Sequence, residues 1–124
     1  MRREPNSVAI IDGDASTRVA MSRLLRGVGF EPRSFSSAES FLADPAHTTF
    51  ACLVLDLQLP GMSGLELQQQ LLEEGSRTPL IFVTAQDDSA ARELATQNGA
   101  AYFRKIDPGA AIIDALRRAS NTSH

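Results

Sequence analysis

Two acidic stretches stand out by where they fall. In "VAIIDGDAST", residues 8–17, four apolar residues run into Asp12 and, after one glycine, Asp14; in "LVLDLQLPGMSGLELQQQL", residues 53–71, a second apolar run ends on Asp56. Each run has the pattern of a buried strand, so its aspartate stands at a strand end rather than inside the core. Thr84 closes a third run, "LIFVT", and Lys105 ends "YFRK". Lys105 is the only lysine, the other eleven basic residues being arginines. A compact point charge is therefore placed once, rather than a planar fork. Carboxylates, a hydroxyl and an ammonium at one sheet edge are the groups needed to hold a hard divalent cation and bind a phosphoryl group, with an aspartate as nucleophile. On these residues alone, Asp12 and Asp56 both stand as the reacting carboxylate.

The elements that must position them follow from periodicity. Short apolar runs at about 7–11, 31–35, 50–56, 79–84 and 101–105 alternate with helical patterns. This alternation is the signature of βαβ units and a parallel sheet covered on both faces. Pro32 makes the second run an edge strand. Helix starts are expected where Ser36 and Glu39, and Ser63 and Glu66, have capping-box spacing, and where Asp107 precedes Pro108. Asp14 is in place to cap the first helix. Gly29 and Gly99 are placed to end helices in the left-handed conformation. Right-handed crossovers with a reversal of strand order open a crevice at the carboxyl ends of the central strands, where Asp12 and Asp56 fall.

The chain has 124 residues, 43% hydrophobic and 22% charged, with a formal net charge of −3. That describes one globular domain over residues 1–124, with no basic surface for nucleic acid. The apolar stretch Val8–Ile11 is too short for a signal-peptide core or a membrane span, so a cytoplasmic location is expected. Cys52, the only cysteine, lies in an apolar run and reads as a small buried hydrophobe. His47 and His124 are isolated. "DGDAST" offers one glycine and two negative charges, which is no cradle for a phosphate.

The segment "LDLQLPGMSGLEL", together with Asp12, Thr84 and "YFRK", resembles the receiver domain of bacterial two-component response regulators, in its FixJ-like branch. The resemblance implies a flavodoxin-like (βα)5 doubly wound fold with five parallel strands in the order 2-1-3-4-5. It implies that Asp56 accepts a phosphoryl group from a sensor histidine kinase. Mg²⁺ would be held by Asp12, Asp56 and the backbone carbonyl of Gln58, with Asp14 a further candidate. Thr84 and Lys105 would bind the phosphoryl group, and Tyr102 would be the aromatic switch following Thr84. The surface of the fourth helix, fifth strand and fifth helix would then carry the signal. Such a domain is no classical enzyme, having at most self-phosphorylation and autodephosphorylation. FixJ-like proteins typically continue into a helix-turn-helix output domain, so a stand-alone receiver and a fragment of a transcription regulator both stay open. Homodimerisation through exposed parts of the first or fifth helix is compatible with the pattern.

Two departures qualify the match. Receivers usually carry two adjacent acids after the first strand, the second being the direct metal ligand; here that position is Gly13. Fewer charged ligands weaken Mg²⁺ binding. Around Lys105, "GAAYFRKID" is one residue short and has Ile106 where the family has proline, so an ungapped alignment sets Ile106 at the lysine position. A divergent pseudo-receiver that signals by protein interaction, with weak or no phosphorylation, is the alternative. A remoter one is a haloacid-dehalogenase-like phosphotransferase, with Asp12 as nucleophile and Asp14 as acid/base. It leaves "DLQLPGMSG" unused and lacks a later acidic metal motif.

Overall fold

The computed structural model describes residues 4–85 and 88–122. Five strands and five helices alternate: β1 (Glu4–Ile11), α1 (Ala15–Gly27), β2 (Glu31–Phe35), α2 (Ala38–Ala43), β3 (Phe50–Leu55), α3 (Gly64–Glu73), β4 (Leu80–Thr84), α4 (Ser89–Gln97), β5 (Ala101–Arg104) and α5 (Gly109–Thr122). All pairs are parallel, in the order β2-β1-β3-β4-β5. This is the expected flavodoxin-like arrangement, and β2 with its Pro32 lies at the edge.

Strand side chains alternate between two apolar layers. Val8, Ile10, Cys52, Val54, Ile81 and Val83 pack with Met21 and Leu25 of α1 and with Ile112, Ile113 and Leu116 of α5. Ala9, Ile11, Leu53, Leu55, Phe82 and Tyr102 pack on the other face with residues of α2, α3 and α4, among them Phe41, Leu67 and Ala95. A sheet covered on both faces needs apolar residues at every strand position, and every residue of β3 is buried. Cys52 is fully enclosed in the first layer.

Helix ends follow local chemistry. Asp14 caps α1, its carboxylate accepting from the Thr17 N–H at 3.1 Å. Ser63 and Glu66 form the expected capping box of α3. The other two expected caps are corrected. The box of α2 pairs Ser37 with Ser40 instead of Ser36 with Glu39, because "SSAES" offers a second frame one residue on. Asp107 turns back, its carboxylate accepting from the Arg104 N–H at 2.7 Å and closing the turn that ends β5. Gly29 and Gly99 have φ of +95° and +90° just past α1 and α4. Among the described residues, no helix is long and apolar enough to cross a membrane.

Candidate functional site

The parallel register brings the two aspartates side by side. Ile11 pairs with Leu55, so Asp12 and Asp56 leave adjacent strands at the same level. Backbone bonds fix both ends: Asp12 N–H donates to Phe35 O at 3.1 Å, and Asp56 N–H to Ile11 O at 3.0 Å. Arg18 Nη1 donates to the Asp12 backbone carbonyl at 2.8 Å. Each carboxylate has one oxygen on a backbone amide, Asp14 N–H to Asp12 Oδ1 at 2.8 Å and Gln58 N–H to Asp56 Oδ1 at 3.2 Å.

The second oxygen of each faces Lys105. Its Nζ lies 3.0 Å from Asp12 Oδ2 and 3.2 Å from Asp56 Oδ2. Lys105 N–H donates to Thr84 O at 2.8 Å, which carries the pairing of β4 with β5 one residue past the strand. The structure thus brings Lys105 to the acidic pair, while Ile106 points outward at 76% exposure. The short loop is accommodated without losing the ammonium.

Burial and charge oppose one another here. Both aspartates are buried, at 4% and 8% exposure. Desolvation is the largest influence on Asp12 and raises its pKa above the ordinary 3.8, against the Asp14 N–H and Lys105, which lower it. Burial works to lower the pKa of Lys105, but the hydrogen bond to Asp12 and the charges of both aspartates outweigh it and leave the value raised.

Asp14 stands apart. Its exposed carboxylate accepts from the Thr17 N–H, Thr17 Oγ1 and Ser16 Oγ, and these bonds lower its pKa. Among the described residues no three His, Cys, Asp or Glu side chains form a metal cluster. Thr84 is buried at the end of β4. Tyr102 is buried in β5 with the Arg92 guanidinium of α4 over its ring, 5.4 Å from the centroid. Gln86 and Asp87, which follow β4 in the chain, lie outside the described residues.

Several residues that shape the site carry no chemical motif. A Cβ on Gly64 would overlap Asp56 O and lie 2.9 Å from Leu57 Cα, so α3 can start against the end of β3 only with glycine there. That approach lets Gly64 N–H donate to Leu57 O at 2.9 Å. Gln68 is buried and donates from Nε2 to Ala95 O at 3.2 Å, tying α3 to α4. A glycine at the first position of a helix is the one visible signal among these. The others depend on contacts between distant segments.

The whole arrangement matches known proteins. Residues 8–115 match the response regulator receiver domain family. The response regulator protein TmoT of Ectopseudomonas mendocina is 34% identical over 120 residues, covering 96% of this chain and 54% of TmoT. The chain spans about half the length of the curated relatives it matches. Among solved structures, response regulator StyR is 36% identical with a TM-score of 0.83, over 93% of this chain and 59% of that one. FixJ-N is 32% identical with a TM-score of 0.85, over 95% of both chains. With the 2-1-3-4-5 sheet and the acidic pair at its edge, the chain belongs to the response regulator receiver domain family, on its FixJ-like branch, as a signalling domain of two-component signal transduction.

Proposed function

We propose that this receiver accepts a phosphoryl group on Asp56 from the phosphohistidine of a sensor histidine kinase. The observation that carries the reading is the Lys105 ammonium shared between Asp12 and Asp56 at the carboxyl end of β3. In the transfer, the N–P bond of the donor breaks as a bond forms from an Asp56 carboxylate oxygen to phosphorus. The electron pair stays on the imidazole nitrogen. Lys105 and the Thr84 hydroxyl bind the oxygens of the phosphoryl group, and the Gln58 N–H holds Asp56 in orientation.

The donor set fits Mg²⁺. Two adjacent carboxylates already gather around a cation, and hard oxygen donors are what Mg²⁺ takes. Asp12, Asp56 and the Gln58 carbonyl would hold it, with Asp14 occupied as a cap. When bound, the ion neutralises charge on the phosphoryl oxygens.

Thr84 and Tyr102 would pass the modified state to the face formed by α4, β5 and α5, shifting a two-state surface that partners read. Those partners are a kinase and either a helix-turn-helix output domain or a separate effector, with homodimerisation a further use of the exposed helix faces. The segment itself makes no direct contact with nucleic acid or membrane, and acts in the cytoplasm.

Gly13 supports a second reading, a pseudo-receiver signalling by interaction alone. Incubation with acetyl phosphate and Mg²⁺ followed by intact mass separates them. One added phosphoryl group, absent in Asp56→Asn, is expected. No addition in the wild type overturns the phosphoacceptor reading in favour of the second.

A further inference from the structure

The loop between β3 and α3 is fastened from outside the site by α2. Glu39 Oε2 accepts from the Met62 N–H at 2.8 Å. Ser37 and Ser40 cap α2 between themselves, so the Glu39 carboxylate is left to reach across. Gly61 has φ of +74°, and a Cβ there would overlap that same carboxylate. The backbone therefore passes directly over Glu39, an approach open to glycine. One residue earlier, Pro60 Cδ lies 3.1 Å from where a Cβ of residue 13 would stand. The loop is thus tied to α2 at Met62 and rests on the β1–α1 turn at Gly13. Between those points and Asp56 lies Gln58, whose N–H donates to Asp56 Oδ1 at 3.2 Å.

From this geometry we infer that Glu39 is a positioning residue for Asp56. By fixing Gly61 and Met62 it sets the course of residues 58–60, and with it the N–H on Asp56 and the seat of Pro60 over Gly13. An ionised carboxylate is a stronger acceptor for a backbone N–H than a neutral oxygen. Glutamine at position 39 keeps the oxygen and drops the charge; alanine removes both. The consequence for phosphoryl transfer rests on the reading of Asp56 as phosphoacceptor, whereas the placing of Gln58 does not.

The test compares the full chain with Glu39→Gln and Glu39→Ala, both conservative for the core because Glu39 is exposed. Amide shifts and hydrogen exchange are read at Met62 and Gln58 by NMR, and the rate of phosphorylation by acetyl phosphate with Mg²⁺ is read by mass. Exchange at Met62 should rise roughly three- to tenfold in Glu39→Ala and less in Glu39→Gln. The Gln58 amide should shift in the same order, and phosphorylation should slow several-fold with partial rescue by glutamine. An unchanged Met62, or a loosened Met62 with Gln58 unmoved, overturns the inference. If the wild type takes no phosphoryl group, the functional reading fails, and the Gln58 shift alone still decides for or against Glu39.

Discussion

Pro60 stands over Gly13: a Cβ on residue 13 would meet Pro60 Cδ at 3.1 Å, so any larger side chain there must push the proline by a few tenths of an ångström. The absent acid is therefore a matter of space as well as of charge. Gly13→Asp is expected to tighten Mg²⁺ binding about tenfold, because it adds a charged oxygen ligand to the pair. In Mg²⁺-free buffer it should cost about 1 kcal/mol, from crowding and from a third negative charge beside Asp12 and Asp56. Calorimetric Mg²⁺ titration with thermal melts in both buffers reads both effects. An unchanged affinity removes position 13 from the metal site.

Gly64→Ala should be the most disruptive small substitution in the site. The added methyl would meet Asp56 O and Leu57 Cα, both backbone atoms that cannot step aside. A loss of about 2–4 kcal/mol in urea unfolding is expected, with phosphorylation falling in the protein that remains folded. A loss below about 0.5 kcal/mol would mean that α3 can slide away from β3.

Asp14 separates capping from metal binding. Asp14→Asn keeps an oxygen for the Thr17 N–H, so the melting temperature should hold while Mg²⁺ affinity stays within about twofold. Asp14→Ala removes the cap and should lower the melting temperature. The lowered pKa of Asp14 means its contribution is present above the ordinary 3.8 and fades as pH falls below that value. A large drop in Mg²⁺ affinity for Asp14→Asn would instead make it a ligand.

Cys52 gives the alkaline limb. Burial pushes its thiol from the ordinary 9.0 up to about 12. The fold favours the neutral thiol, so this contribution is complete below pH 9 and is lost as pH rises towards 12, by roughly 4 kcal/mol at most. Cys52→Ala should therefore be less stable than wild type at neutral pH and lose its disadvantage near pH 11, in matched denaturant titrations. Alkylation of the native protein at pH 8 should proceed only through unfolding.

Much of this was legible along the chain because the cues are local. Apolar runs ending on Asp12, Asp56 and Thr84 mark strand ends, and "SGLE" marks the start of α3. The register around Lys105 was less so, since counting residues set Ile106 against the family lysine. What decides it is the Lys105 N–H bonded to Thr84 O, a contact between separate strands. Glu39 shows the opposite failure. It looked like half of a capping box, and its real partner, Met62, is 23 residues away. Asp107, next to Pro108 in the pattern of a helix start, is instead held by the Arg104 N–H at the end of β5.

The bond from Gln68 to Ala95 limits how the molecule can deform. At 3.2 Å it has only about 0.3 Å to stretch before it ceases to be a hydrogen bond, and both partners are buried. Since Gly64 seats the same helix directly on Asp56 O, α3 acts as a stiff rod with one end at the acidic pair and its flank bolted to α4. A displacement of α4 beyond that margin would have to carry the rod along or break the bolt.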